Sequence, residues 1–442
     1  MLDLFVKHIE KFQLCEKSDR IMLAVSGGLD STSMLYMFLE GGYNVSVAHC
    51  NFQLRGRESD ADEEFVSLLC KELGVPVFVK RFETEAYAWS KTLSTQMAAR
   101  ELRYAWFKEL IAKHQYEALA TAHHFDDTME TILLNLTRGT GIDGLAGIPV
   151  RNGNIIRPFL FATRKQIESY AISKGLVWRE DPTNQTDNYQ RNFIRHQIIP
   201  KLKLLNPSLE TTWQSNIEKI TGEIDLLNQT LQKWKNEFVN EALDMIVIKK
   251  VGLAALPESA TLLWRYCRGF GFNFDQAKEM IQCLNAQPGK RFISHTHVLF
   301  VDRETLIITN RQQQWEETVI ERGQPESLLG PWHIRIETVQ GLVEPADEKL
   351  SAVLDKELLA FPLLWRKWRP GDYFYPLGME HKKKLSDFFI DIKLSVAEKE
   401  RVTVVESGGQ IAWVAGYRLD NRFKLTANTN SCVRLTLGEF SD

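Results

Sequence analysis

The chain has 442 residues, of which 44% are hydrophobic and 25% charged, and its formal net charge is −3. This length exceeds the usual size of a single domain, so we expect two or three domains with ordinary hydrophobic cores. The slightly acidic balance excludes a chain that is basic throughout, although it is compatible with a local basic face for nucleic acid.

The six cysteines are scattered without a C-x-x-C pair. This usage favours buried thiols in a reducing compartment over a disulfide or metal framework. The N-terminal stretch MLDLFVKHIEKFQLC carries acids among its apolar residues, which predicts an amphipathic helix and not a signal peptide. No apolar run is long enough to span a membrane. We therefore expect a cytoplasmic protein without membrane contact.

Short β-rich runs alternate with helical stretches over residues 20–157, a pattern that indicates βαβ units and an α/β fold with a doubly wound, Rossmann-like parallel sheet. A long helix is predicted at about 207–241, and its apolar seam at spacings of three and four permits a homodimer without requiring one. We predict a catalytic domain at 1–205, a helical linker domain at 206–345 and a small α+β domain at 346–442.

The stretch AVSGGLDSTSML follows the first β-rich run and precedes a helix. Its glycines let backbone amides approach phosphate oxygens, and the positive end of the helix points at the same place. The lysine of the common nucleotide loop is missing, which suits cleavage between the α and β phosphates of ATP. The residues predicted to hold the nucleotide are Ser26, Gly27, Gly28, Leu29, Asp30 and Ser31, and Asp30 is also a predicted Mg²⁺ ligand.

A second motif, TAHHFDDTMET, places Asp127 and Glu130 three residues apart on one helix face. Such a pair could bind Mg²⁺, with Asp127 as the second ligand, or the ammonium of an amine substrate; the alternative is helix-capping acids on a solvated face. His123 and His124 suggest zinc, but no third soft ligand stands at useful spacing.

Several arginines stand near predicted strand ends, where an anion could lie. Each alone would be an ordinary surface residue, but their common placement favours contacts to nucleotide or RNA phosphates. The residues predicted to contact substrate in this region are Arg100, Arg103, His123, Arg191 and Arg195.

The segment 364–384 interleaves cations with aromatic rings. Cations that follow a backbone and rings that stack on unpaired bases suit single-stranded RNA, and Lys382 and Lys383 are predicted to contact it. The alternative is a half-buried strand with core aromatics and a basic rim.

With these motifs the sequence resembles the tRNA(Ile)-lysidine synthetases, a PP-loop family. The resemblance rests on SGGLDS, AHHFDDTMET, LTRGTGIDGLAGIP, DPTNQTDNYQRNFIRHQIIPKL and RPGDYFYPLGMEHKKKLSDFFIDIKL, in this order, and is weakest over residues 207–345. Two departures are small: Thr128 stands where glutamine is expected, and Cys50-Asn51-Phe52 varies the usual VNH.

The resemblance implies a reaction. ATP would adenylate O2 of the cytidine at the first anticodon position of a tRNA(Ile) with a CAU anticodon, and free L-lysine would then attack C2 and release AMP. It implies that Asp30, Asp127 and Glu130 are catalytic, that Asp30 holds Mg²⁺, and that the C-terminal basic segment holds the tRNA.

Two other functions are weighed against this one. A tRNA thiolase of the same loop family needs paired or cluster-binding thiols near the loop, and the sequence has no such pair. A non-catalytic RNA-binding protein would be expected to lose the acids that point at the phosphates, yet Asp30, Asp127 and Glu130 are all present.

Overall fold

The computed structural model describes residues 1–180, 190–242, 245–254, 256–286, 288–311, 317–342 and 350–439. The motif residues 181–189 therefore lie outside the described residues. The chain forms two compact units, Met1–Leu227 and Asn228–Asp442. In the described part of the chain, no helix combines the length and apolar character needed to cross a lipid bilayer.

The first unit contains a six-stranded sheet with strand order β3-β2-β1-β4-β6-β5. All its pairs are parallel except that between β5 and β6. The predicted doubly wound parallel sheet is confirmed. The strands are β1 (Arg20–Ala24), β2 (Asn44–Asn51), β3 (Val77–Arg81), β4 (Ala118–Ala120), β5 (Arg151–Asn152) and β6 (Ile155–Ile156).

Helices connect these strands and cover both faces of the sheet. They are α1 (Leu2–Lys11), α2 (Leu29–Glu40), α3 (Arg57–Leu73), α4 (Thr84–Lys91), α5 (Thr95–His114), α6 (Phe125–Arg138), α7 (Ile142–Leu145), α8 (Arg164–Ser173), α9 (Gln190–Phe193) and α10 (Ile199–Leu205), with a π-helical turn at Ile194–Ile198. The strand order changes direction between β1 and β4, and ligands of such sheets bind at this switch point.

The central strand β1 shows why both faces need cover. Ile21 and Leu23 pack into the core on one face, while Met22 packs with Trp106 and Leu119 into a second core on the other. A strand that is buried on both faces reads as a continuous apolar run, as RIMLAV does in the sequence.

The imidazole of His8 lies inside this unit. Its ring centroid is 4.8 Å from that of Phe12 and 5.4 Å from that of Phe161, and its Nε2 is buried without a hydrogen-bond partner among the described residues. Burial, with a smaller effect of Lys11, lowers the pKa of His8 from 6.5 to about 4. His8 is therefore neutral in the folded protein at pH 5.

We expect His8→Phe to weaken the dependence of the free energy of unfolding on pH below pH 7. The unfolded chain takes up a proton at His8 below pH 6.5, whereas the folded chain does so only near pH 4, so this residue lowers stability as the pH falls between these values. Urea denaturation at pH 7.5 and at pH 5 measures how much the free energy of unfolding falls between these values. This decrease should be smaller in the variant than in the wild-type protein by roughly 1–2 kcal/mol. An equal loss in both proteins would contradict the assignment.

Helix α11 (Leu209–Phe238) occupies the region of the predicted long helix and carries the chain from the first unit into the second. The second unit begins with a five-stranded antiparallel sheet of order β7-β8-β11-β10-β9. Its strands are β7 (Val239–Ala242), β8 (Met245–Lys249), β9 (Arg291–Ile293), β10 (His297–Val301) and β11 (Thr305–Asn310), packed with α12 (Val251–Ala254), α13 (Ser259–Cys267), the 3-10 turn Arg268–Phe270 and α14 (Phe274–Gln282).

The rest of the second unit is β-rich. Its sheets have the orders β12-β16-β19-β20-β21, β13-β14-β22-β15 and β17-β18. The strands are β12 (Thr318–Ile320), β13 (Glu326–Leu329), β14 (Trp332–Gln340), β15 (Ser351–Asp355), β16 (Leu363–Lys367), β17 (Tyr373–Phe374), β18 (Lys383–Lys384), β19 (Thr403–Ser407), β20 (Gln410–Val414), β21 (Arg418–Leu419) and β22 (Ser431–Glu439). The helices are α15 (Leu385–Asp391) and α16 (Val396–Arg401), with 3-10 turns at Lys356–Leu358 and Asn421–Phe423.

Strand pairing differs from the predicted boundary at 345/346. Strand β12 pairs with β16, and β14 pairs with β22 over its whole length. Strands β12 to β14 thus share sheets with the last segment of the chain and not with the helical region before them. Local periodicity marks where a strand lies but not which distant strand it pairs with, which is why the predicted boundary fell after them.

Candidate active site

The phosphate-type loop, residues 25–28, joins β1 to α2 at the carboxyl end of the central strand. Gly27 has φ +91°, and a Cβ at this position would lie 3.3 Å from the side chains of Phe65 and Val66. The positive φ therefore favours glycine here, and a Cβ would also require Phe65 and Val66 to shift by a few tenths of an ångström. Because α2 begins at Leu29, its positive end faces whatever the loop holds.

The hydroxyl groups of the loop hold its shape. The backbone N–H of Ser26 donates to Ser31 Oγ at 3.1 Å, and the Ser31 hydroxyl donates to the carbonyl oxygen of Gly28 at 3.1 Å. The two serine oxygens themselves lie 3.1 Å apart. From outside, the backbone N–H of Arg179 donates to the carbonyl oxygen of Gly27 at 3.0 Å. The loop is thus preorganised before any ligand binds.

The second motif lies beside this loop because β4 is the neighbour of β1. Helix α6 begins just after His124, whose backbone N–H donates to Asp127 Oδ2 at 3.0 Å. Asp127 therefore caps the helix, but its side chain is only 14% exposed and does not lie on the solvated face of the alternative interpretation. Asp126 Oδ2 accepts the backbone N–H of Arg164 at 2.8 Å, which ties α8 to the same turn.

Three carboxylates surround the side chain of His124, which is 4% exposed. Its Nε2 lies 3.8 Å from Asp30 Oδ2 and 3.6 Å from Asp127 Oδ2, and its Nδ1 lies 3.5 Å from Asp126 Oδ2. Burial lowers the pKa of His124, but these carboxylates outweigh it and the pKa is raised. A protonated His124 stabilises three acids that would otherwise repel each other.

His123 is the opposite case. Its Nδ1 lies 2.9 Å from the hydroxyl oxygen of Thr121. Burial lowers the pKa of His123 to about 4, and the carboxylate of Asp127 opposes this only in part. The ring is therefore neutral near pH 7.

Two arginines hold the fully buried carboxylate of Glu130. Arg191 Nε donates to Glu130 Oε2 and Arg195 Nε to Glu130 Oε1, each at 2.6 Å. Arg191 Nη2 also donates to Asp127 Oδ1 at 3.2 Å. Burial alone raises the pKa of Asp127, but His124 and Arg191 hold it below the usual value. The motifs around residues 127 and 191 thus form one ion-paired cluster.

The surroundings of Asp30 show whether Mg²⁺ could bind beside the phosphate loop. Its Oδ1 is buried and has no hydrogen-bond donor among the described residues, and burial raises the pKa of the carboxyl despite the opposing charges of His124 and Arg164. An unpaired carboxylate oxygen beside a phosphate loop fits Mg²⁺, which is usually bound by one or two carboxylates plus substrate phosphates. At Asp127, in contrast, both oxygens already have partners. The described residues contain no group of three or more His, Cys, Asp or Glu side chains placed to hold a metal ion.

A cavity of about 710 Å³ opens over these groups. This volume is within the range of small-molecule sites, roughly 300–1,000 Å³. It brings together most of the predicted site residues of this unit, namely Ser26, Gly28, Leu29, Asp30, Ser31, Arg103, His123, Asp127 and Arg195. Arg103 also lies over the ring of Phe52, 5.1 Å from its centroid.

Other predicted site residues lie outside the cavity lining. Glu130 and Arg191 lie behind Asp127 in the ion-paired cluster, and the guanidinium of Arg100 is 4.9 Å from the ring centroid of Tyr104. Lys382 and Lys383 belong to the second unit: Lys382 lies 5.4 Å from the ring centroid of Tyr373, and Lys383 pairs with Asp391.

For part of the basic-aromatic segment, the prediction of base stacking was wrong. Trp365 and Phe374 are fully buried, and Arg366 is 7% exposed and paired with Asp372 and Glu406. The core interpretation describes these residues, because Trp365 packs into one hydrophobic core of the second unit and Phe374 into another. Tyr373, with 48% exposure, remains accessible.

Sequence reasoning missed several residues of the cavity wall. Arg164 and Arg179 were not singled out, although both line it, as does Trp178. Arg164 follows β6, which has only two residues and gives no periodic signal. Arg179 pairs with Asp62 and Glu58 on α3, a contact that no local pattern indicates.

Taken together, a parallel sheet, a glycine loop without lysine and acids at the switch point define a PP-loop nucleotide-binding domain. A family model described as PP-loop domain matches residues 1–202. Models described as TilS substrate binding domain and TilS substrate C-terminal domain match residues 241–311 and 363–436.

Full-length relatives make the assignment specific. The chain is 39% identical over 430 residues to the tRNA(Ile)-lysidine synthase of Parabacteroides distasonis, covering 96% of both chains. It is 36% identical over 428 residues to that of Bacteroides thetaiotaomicron, covering 97% of both. The chain belongs to the tRNA(Ile)-lysidine synthase family.

Among solved structures, the chain is similar to the U34-tRNA thiolase NcsA from Methanococcus maripaludis with its 4Fe–4S cluster. The TM-score is 0.42 and the identity 17%, over 50% of this chain and 77% of that one. This likeness is too low to bear on function.

Proposed function

We propose that this protein is an ATP-dependent ligase that joins free L-lysine to C2 of the first anticodon cytidine of tRNA(Ile) with a CAU anticodon, releasing AMP and pyrophosphate. The main observation behind this proposal is that one cavity over the switch point is lined by the phosphate loop, by Asp30 with its unpaired oxygen, and by Asp127. Family membership supports the tRNA substrate.

The first step is adenylation. Cytidine O2 attacks the α phosphorus of ATP, the bond to the bridging oxygen of the β phosphate breaks, and pyrophosphate leaves. The loop and the start of α2 hold the phosphates, and Arg195 on the cavity wall faces their negative charge. Mg²⁺ on Asp30 would neutralise part of that charge.

The second step is displacement by lysine. The ε-ammonium of lysine first gives a proton to water, and the neutral ε-amine then attacks C2. The bond between C2 and O2 breaks, AMP leaves with that oxygen, and a second proton, from the nitrogen of the new C–N bond, also passes to water. We assign the ε-ammonium of bound lysine, before it loses the first proton, to Asp127, which lines the cavity and is held as a carboxylate by His124 and Arg191. Glu130 is fully buried between two arginines, so we assign it the role of positioning Arg191 and Arg195.

A thiolase is the weaker alternative. Cys50 is the cysteine that lines the cavity among the described residues, and burial raises the pKa of its thiol to about 12 despite Arg103. A thiol with such a pKa is a poor nucleophile at pH 7. A homodimer through α11 and a cytoplasmic location stay predictions.

Adenylation can be tested by itself. The protein, ATP, Mg²⁺ and a transcript of the CAU isoleucine tRNA are expected to release pyrophosphate and to place the α phosphate of ATP on the RNA. Because this reaction contains no lysine, the adenylated intermediate should accumulate. ATP hydrolysis that is independent of the transcript would contradict the proposal.

We expect alanine at both Lys382 and Lys384 to weaken tRNA binding and to flatten its salt dependence. Both side chains are exposed, whereas the neighbouring Lys383 is paired with Asp391. Each lost phosphate contact should reduce the slope of log K against log salt by about one unit. Filter binding at several salt concentrations measures this, with alanine at the exposed Lys7 and Lys17 as the matched control. Equal slopes in both double variants would refute it.

A further inference from the structure

A second cavity, of about 570 Å³, lies within the C-terminal part of the second unit. It is formed by the turn after β17, by helix α15 and by the turn between β20 and β21. The described residues that matter for its chemistry are Met379, Lys383, Phe388, Ile392, Tyr417 and Arg418. Its volume is sufficient for a nucleotide-sized ligand.

The walls offer flat rings held in place by packing. Phe388 is half-buried, and its ring meets that of Phe374 edge to face with centroids 5.1 Å apart. Tyr417 is also half-buried, and its side chain packs against the hydrophobic core that contains Phe374 and Phe389. Rings fixed in this way lose little freedom when a planar group packs against them.

The rim is apolar although it reaches solvent. Met379 is 50% exposed and Ile392 40% exposed, and both line the cavity. Binding of a ligand would remove these apolar side chains from water, which is favourable, so an exposed apolar rim around a cavity is typical of a binding site.

The charge around the cavity favours an anionic occupant. The charged side chains that line it are Lys383, Asp391 and Arg418, two cations against one acid. Lys383 pairs with Asp391, while Arg418 Nη2 donates to the carbonyl oxygen of Leu377 at 2.9 Å and remains exposed. A cation fixed beside apolar and aromatic walls matches a base attached to a phosphate.

We propose that this cavity binds one unpaired nucleobase of the tRNA substrate, with the adjoining phosphate on Arg418. This inference rests on the proposed function for the identity of the RNA. An apolar side chain of a protein partner would fill the same walls, but it would make no use of the surrounding positive charge. Bases stack on aromatic rings whatever their sequence, so the site provides affinity and not sequence specificity.

The test uses two variants of the full chain that differ only in position. Ile392→Glu places a carboxylate in the cavity, and Ile390→Glu places the same charge on the same helix end, at a side chain that is 55% exposed and does not line the cavity. We expect Ile392→Glu to raise the Kd for the tRNA transcript about ten-fold, the loss expected for one stacked base. Ile390→Glu should raise it by less than about two-fold, which is typical of a single rim charge. Equal Kd values for the two variants would overturn the proposal.

A second measurement introduces no charge into the cavity. A photo-crosslinking amino acid at position 379 of the otherwise unchanged chain should react with an unpaired nucleotide of the bound tRNA. Reaction with base-paired nucleotides alone, or with another protein chain, would contradict the inference. Repeating the binding comparison with a transcript that lacks its unpaired 3′ nucleotides identifies the source: the penalty of Ile392→Glu disappears if the base comes from the 3′ end and persists if it comes from a loop.

Failure of this inference and failure of the proposed function give different results. A wild-type protein that incorporates lysine while both glutamate variants bind tRNA equally contradicts the cavity proposal alone. A wild-type protein that binds the transcript but incorporates no lysine contradicts the proposed function, and the comparison of the two variants still decides the cavity.

Discussion

Asp30→Asn is expected to reduce AMP formation by roughly 10²–10³-fold, the loss typical when one group that stabilises transition-state charge is removed. The physical reason is the position of Asp30 at the start of α2, with one buried oxygen that has no donor among the described residues. An amide in its place keeps the shape but cannot neutralise a cation. Binding of the tRNA transcript should not change, because the substitution leaves the basic residues of the second unit intact.

The matched control for this variant is Asp126→Asn. Asp126 is the same residue type in the same cluster, but its carboxylate already accepts the backbone N–H of Arg164. We expect its effect on AMP formation to be much smaller than that of Asp30→Asn. Radiolabelled ATP and thin-layer separation of AMP measure both. If Asp30→Asn forms AMP at the wild-type rate, the assigned role of Asp30 fails.

Glu130→Gln is expected to lower the free energy of unfolding by about 3 kcal/mol and to abolish lysine incorporation. Removing one member of a buried ion pair leaves its partners uncompensated, and the cost is at the low end of the usual range because Arg191 keeps 39% of its side chain exposed. The two arginines would also lose the anion that fixes their direction, so Arg195 would no longer face the phosphates in one orientation.

Glu109→Gln is the control for this second variant. Glu109 pairs with Lys80 at 3.3 Å on the surface, with 60% of its side chain exposed. Surface pairs of this kind contribute less than about 1 kcal/mol. Denaturation curves and lysine incorporation should therefore separate the two variants. A Glu130→Gln protein that incorporates lysine at the rate of Glu109→Gln would contradict the positioning role.

The parts of the fold that the sequence predicts are those set by local pattern. The alternation of β-rich and helical runs over residues 20–157 indicates the parallel sheet, and its order places the loops after β1 and β4 side by side. For the same reason the sequence predicts that the glycine loop and Asp127 lie at one edge of the sheet, whereas it does not indicate that Glu130 is buried between two arginines.

The parts that could not be predicted depend on contacts between distant residues. Trp365 is buried because it packs into one core with Trp413 and Leu435, which come from strands far along the chain. Arg179 reaches the phosphate loop from a segment after α8, and Glu130 is occupied by arginines more than sixty residues away. Residue type identifies such groups as charged or aromatic, but only tertiary packing decides whether they face a ligand or the interior.

The most direct test of the central claim is incubation of the protein with ATP, Mg²⁺, radiolabelled lysine and a transcript of the CAU isoleucine tRNA. The methionine tRNA, which also carries CAU, serves as the control. We predict that lysine is incorporated into the isoleucine transcript alone and that AMP is released in equal amount. No incorporation of lysine, or an ATP-dependent change at another base, would contradict the proposed ligation and move the protein's chemistry to a different tRNA modification.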